Sequence, residues 1–240
     1  MNKNVLLIGT SLIIVVALIS AVAMFQTEPT SQSKNPSVGA LSDNLNDNLN
    51  DNLNDNLNDN LNDTLSIVER ANAPTKGPLD AKVMIVEFFD PACETCQVFY
   101  PFVNNLIEQY PGQVKVMMRY APLHQGSDQV VRLLEAAHLQ GQFWPAVEIL
   151  FANQQRWTRH HVAQPQSALE LLANLPLDSE KFMRDVNGDS VGDIIKQDIT
   201  DGKALKVRAT PQFFVNGKPL VSFGYQQLTQ LVEEAIDEAY

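Results

Sequence analysis

Val83-Met84-Ile85-Val86-Glu87-Phe88-Phe89-Asp90-Pro91-Ala92-Cys93-Glu94-Thr95-Cys96 is the stretch that decides how this chain folds. Its first seven residues are apolar except for Glu87, the pattern of a strand buried on both faces of a sheet. From Cys96 to Tyr110 the spacing becomes helical, with Phe99, Phe102, Val103, Leu106 and Ile107 apolar, and Pro111-Gly112 stops it. A second apolar strand follows at Val114–Tyr120. Strand, helix and strand in so short a span predict a βαβ unit with a parallel pair.

The cysteines sit at the junction of the first strand and the helix. The N–H groups at a helix start lack partners and the helix dipole is positive there, so a thiolate at Cys93 is stabilised. Cys96, one turn along, can close a disulfide with Cys93. As a staple, so small a ring restricts the unfolded chain by only about 2 kcal/mol; it suits a redox switch better. The chain has 2 cysteines in all, which excludes a disulfide scaffold and a four-thiolate zinc site. Glu87 shares strand parity with Cys93. A lone buried carboxylate is costly unless hydrogen-bonded or protonated, and a protonated Glu87 could shuttle a proton to and from Cys96. The alternative is an acid at a sheet edge that reaches water.

Downstream, residues 126–203 read as helices with short breaks, near 127–139, 142–152, 166–174, 178–186 and 190–201. Thr210-Pro211 precedes a strand at Gln212–Val215; Asn216-Gly217 predicts a hairpin turn, with Pro219–Phe223 as partner strand. A last amphipathic helix runs from about Gln226 to Ala239. Phe143-Trp144 is expected to fill core. Of the histidines, His124 borders the site or simply starts a helix, while His160-His161 read as a solvated turn. No metal-ligand spacing links them to the cysteines.

Upstream, Val5 to Phe25 carry no charge and follow Lys3. That length fits a transmembrane helix with a cytoplasmic N-terminus; Ala21-Val22-Ala23 also suits signal cleavage. Either reading exports the rest, to the periplasm or another extracytoplasmic space. Leucines 41, 45, 49, 53, 57, 61 and 65 then recur every four residues with aspartates 43, 47, 51, 55, 59 and 63 between them. A four-residue period drifts about 40° per repeat on a helix, and Asn and Asp are weak helix formers, so an acidic flexible spacer is expected. An amphipathic helix near Leu61–Arg70 is the alternative; an aspartate-built calcium site is weakly signalled. Net charge is −11 with no basic stripe, which argues against nucleic acid as a partner.

Val86 to Cys96, followed much later by Ala209-Thr210-Pro211 and Phe213-Phe214-Val215-Asn216-Gly217, resembles the DsbA-like branch of the thioredoxin superfamily over residues 77–240. The resemblance implies an α/β thioredoxin fold with an inserted helical domain at about 122–203, here preceded by an N-terminal transmembrane helix or signal segment (1–25) and a low-complexity acidic linker (26–76). It implies catalytic roles for Cys93 as nucleophile, Cys96 as resolving thiol, Glu87 as buried acid, and Pro211, after Thr210, as a cis-proline facing the disulfide. Glu94-Thr95 departs from the Pro-His of strongly oxidising members. An anion at Glu94 is expected to disfavour the Cys93 thiolate and to weaken the enzyme as an oxidant. The implied activity is disulfide exchange with thiol-containing exported proteins, in the direction of oxidative disulfide formation, with no cofactor and with a membrane redox partner recycling the pair. Reductase or isomerase action, and a non-enzymatic metal or client-binding module using soft Cu(I), are the rivals.

Overall fold

A computed structural model describes residues 61–240. Among these residues no helix is long and apolar enough to cross a membrane. The apolar run at 5–25 and most of the leucine repeat lie outside them.

The first described residues, 61–68, form helix α1. A five-stranded sheet follows in the order β1-β3-β2-β6-β7, where β1 is Thr75–Lys76, β2 Val83–Phe89, β3 Val114–Tyr120, β6 Gln212–Val215 and β7 Lys218–Pro219. β2 and β3 are parallel, from Val83 opposite Val114 to Phe89 opposite Tyr120. They are joined by α2, Glu94–Gln109. β6 lies antiparallel on the other side of β2, so β2 is central, as its unbroken apolar run requires.

The two faces of β2 bury different partners. Val83, Ile85 and Phe89 pack with Phe99, Val103 and Leu106 of α2 and with Leu228 and Val232 of the last helix, α9 (Tyr225–Ala239). Met84, Val86 and Phe88 face the other way, onto Val68, Ala73, Met117 and Phe214. Between β3 and β6 the chain inserts α3 (Ser127–His138), α4 (Phe143–Ala152), α5 (Gln154–Trp157), the β4–β5 hairpin (Thr158–Arg159 and Val162–Ala163), α6 (Pro165–Leu172), α7 (Ser179–Asn187) and α8 (Asp189–Ala204). Phe143 is buried there, as expected.

Two local outcomes differ from expectation. β7 pairs only Lys218 and Pro219 with β6 and does not run to Phe223; a proline lacks the N–H that a longer ladder needs. The turn before it, with φ of 45° at Asn216 and 79° at Gly217, is of the type the Asn-Gly pair favours. His160-His161 form the exposed tip of a small hairpin, the solvated turn expected of them, both at positive φ.

The second difference is that the packed body extends upstream of Gly77. β1 pairs with β3, Thr75 opposite Met117. α1 rests on the β6–β7 turn, where a Cβ added at Gly217 would lie 2.9 Å from Leu65 Cγ. The last leucines of the repeat thus sit on the sheet's end. The clamp is Arg119, fully buried on β3, whose Nη1 donates to the carbonyls of Ile67 and Val68 at 3.0 and 2.6 Å. Its Nε donates to Asp198 at 2.8 Å and its Nη2 to Asp201. Arg70 reaches the same Asp198, at 3.0 Å. Removing one partner of a buried ion pair strands the other. Arg119→Met is therefore expected to cost on the order of 3 kcal/mol, read as a lower midpoint of urea unfolding.

Candidate active site

β2 ends at Phe89 and α2 starts at Glu94, so the intervening turn must bring the chain out of the sheet and into a helix within four residues. Asp90 holds that turn. Its buried carboxylate accepts from Ala92 N at 2.8 Å through Oδ1. Through Oδ2 it accepts from Leu123 N at 2.6 Å, His124 N at 2.8 Å, His124 Nδ1 at 2.9 Å and Ser127 Oγ at 2.9 Å. A second brace comes from the inserted helices: buried Gln154 on α5 donates Nε2 to the carbonyls of Pro91 and Cys93 at 2.9 and 3.0 Å. Neither residue was picked out from sequence. The Asp-Pro pair carried a turn signal; Gln154 carried none.

Cys93 is the N-cap of α2, with φ −79° and ψ 121°. Both cysteines are free thiols. Cys93 is 6% exposed and Cys96 is fully buried. The Thr210–Pro211 peptide is cis, and Cys93 Sγ lies 3.2 Å from the Thr210 carbonyl oxygen. The expected pair of cysteines, Thr210 and the proline are therefore brought together. Glu87 is 1% exposed on the central strand, opposite Phe213 and Met118. The sheet-edge alternative for it is thus excluded. Neither Glu87 carboxylate oxygen has a hydrogen-bond partner within the protein.

Burial sets the electrostatics. Desolvation first, and the Cys93 charge second, push Glu87 up from 4.5 to about 8. Desolvation likewise lifts Cys96 well above the ordinary thiol value, aided by its hydrogen bond to Cys93 and by the Glu87 charge. Cys93 goes the other way, from 9.0 down to about 6. A hydrogen bond from the Cys96 thiol contributes most, followed by Thr210 and the backbone N–H groups of Cys96 and Thr95, against an opposing burial cost. The expectation that Glu94 would hold the Cys93 thiol up is not met. Glu94 turns its carboxylate to His161, Oε1 lying 3.2 Å from Nδ1, while the helix start and Cys96 govern the thiol.

A reactive, low-value thiol at a helix tip, a buried second thiol one turn on, and a cis-proline across from them on a mixed sheet define a thioredoxin-fold dithiol site. The family model described as "Thioredoxin" matches residues 69–234, and the chain belongs to that family. It superposes on a thioredoxin-like oxidoreductase from Silicibacter pomeroyi DSS-3 with a TM-score of 0.62 at 27% identity, covering 73% of this chain and 98% of that one. Alpha-DsbA1 from Wolbachia pipientis shares the fold with a TM-score of 0.61 at 18% identity, covering 73% and 96%. Among curated proteins, the Na(+)/H(+) antiporter NhaA of Herminiimonas arsenicoxydans is 30% identical over 159 residues, 66% of this chain. The chain spans about a quarter of the length of that relative, 25%.

Two measurements probe these electrostatics in the reduced protein. Absorbance of the thiolate near the ultraviolet edge should titrate with a midpoint of about 6, and the transition should vanish in Cys93→Ser. For Glu87 the folded-state value lies above the unfolded one. Its neutral carboxyl therefore favours the fold fully below pH 4.5, and the advantage drains as pH rises toward about 8. Between pH 5 and pH 8, Glu87→Gln should gain stability relative to the parent on the order of 3 kcal/mol, measured as the difference in urea unfolding free energies.

Proposed function

We propose that the protein is a thiol–disulfide oxidoreductase of the DsbA type that forms disulfides in exported proteins through Cys93 and Cys96. The observation that carries this is the split between the two thiols: Cys93 drawn down to about 6 while Cys96 is pushed far up. A pair so divided has one stable leaving thiolate and one buried resolving thiol. A stabilised Cys93 thiolate favours the dithiol form, and that makes the disulfide form an oxidant.

The steps balance as follows. A client thiolate attacks Cys93 Sγ of the Cys93–Cys96 disulfide; the S–S bond breaks and Cys96 leaves with the electron pair. Cys96 takes up a proton, which Glu87, held neutral at pH 7 by burial, is positioned to supply. A second client thiolate then attacks the client sulfur of the mixed disulfide, and Cys93 leaves as thiolate. The client loses two electrons and the enzyme gains them. The Thr210 carbonyl and Pro211, on the far side of Cys93, are suited to align the incoming client backbone.

Export and tethering belong to the same proposal and rest on the apolar run at 5–25, with the acidic repeat as a spacer and a membrane redox partner as the acceptor of the electrons. The antiport activity of the curated relatives is not carried over, since only a quarter of their length is shared. The rival reductase reading requires a reducing potential for the pair.

The test is equilibration of the pair with glutathione, followed by oxidation of a reduced, unfolded client. The expected result is a pair more oxidising than thioredoxin, with client oxidation abolished in Cys93→Ala and slowed about a hundredfold in Glu87→Gln. A pair as reducing as thioredoxin would transfer the assignment to reduction, and full activity of Cys93→Ala would end the enzymatic reading.

A further inference from the structure

Three side chains that gather at the start of α2 come from three separate pieces of chain. Glu94 opens α2, His124 lies in the loop before α3, and His161 sits at the tip of the β4–β5 hairpin. Their donor atoms, one from each, all lie within 4.8 Å of one another. The two imidazoles face each other, with centroids 6.0 Å apart and planes inclined by 25°. Sequence spacing hides this arrangement, because the fold alone brings these residues together.

We propose that Glu94, His124 and His161 form a binding site for a divalent first-row transition-metal ion, zinc foremost, adjoining the redox pair.

The donor chemistry supports it. Two imidazole nitrogens and one carboxylate oxygen are a ligand set that zinc uses with a fourth position left open. His124 is already oriented as a ligand. The Asp90 carboxylate accepts from the Leu123 and His124 N–H groups, the Ser127 hydroxyl and His124 Nδ1, so Nδ1 is the protonated nitrogen and Nε2 keeps its lone pair. A buried carboxylate that fixes a histidine's tautomer and ring plane is the outer-shell support metal-bound imidazoles use. Glu94 and His161 side chains are 54% and 68% exposed, so they can close on an ion by small rotations. An exposed pair of this kind adds little stability by itself, and so the fold gains little from holding His161 there.

The binding test uses the full chain with the Cys93–Cys96 disulfide closed, so that no thiolate competes. Zinc is titrated calorimetrically, and cobalt by its visible absorption. Saturation at one ion per chain is expected, weakened about tenfold or more by His161→Asn and by Glu94→Gln. His161 has φ 62° in an exposed turn, a conformation asparagine accepts, so that variant keeps its fold. Absence of zinc and cobalt binding to the oxidised parent, or undiminished binding in both variants, overturns the site. Because this titration involves no thiol chemistry, failure of the redox assignment and failure of the metal site give different results.

Discussion

One buried carboxylate holds the working end of this molecule together. Asp90 accepts five hydrogen bonds, from the turn that carries the cysteines, from the loop beyond β3, from the first residue of α3 and from the His124 ring. Together they tie the end of the central strand to its own turn, to the loop beyond β3 and to the start of α3. Without that anchor the step from β2 to α2 would lose most of the side-chain bonds that fix its direction, and with them the aim of the helix tip at Thr210. Gln154 complements it from the inserted helices by binding the two carbonyls that the turn leaves facing inward.

On this support the protein divides three ionisable groups by environment alone. Desolvation raises Glu87 and Cys96, which are walled in on the apolar side of the sheet. Donated hydrogen bonds lower Cys93 at the rim, and these outweigh its own burial cost. The same fully buried strand that supplies the core thus supplies the neutral acid. Glu87 occupies a position where every alternative residue in the strand's pattern is apolar, and the cost of placing it there is the source of its altered proton affinity.

The sheet was legible because its central strands are unusually plain. Val83–Phe89, Val114–Tyr120 and Gln212–Val215 stand in the structure with the bounds their apolar runs suggest, since proline and glycine punctuate both sides. The helices of the insertion were legible by periodicity to within a few residues. What escaped was whatever depends on distant partners. The docking of α1 hinges on Arg119, whose burial is possible only because Asp198 and Asp201 arrive from a helix about 80 residues later. The tiny β4–β5 hairpin has too few residues for a period to appear. Glu94 read as an unfavourable neighbour of Cys93 because the one-dimensional view could not see His161 drawing its carboxylate aside.

The seat of α1 on Gly217 also settles the polarity of the molecule. β6 runs against β2, with Val215 opposite Ile85 near the start of the central strand, so the turn under Leu61 and Leu65 marks the pole of the sheet remote from the sulfurs. The described chain therefore enters the body at the base, and the reactive tip is its opposite summit. From that base α1 runs along the sheet to the Arg119 clamp, which stands opposite Phe88 near the other end of the central strand and so ties the entering helix to the half of the body that carries the sulfurs.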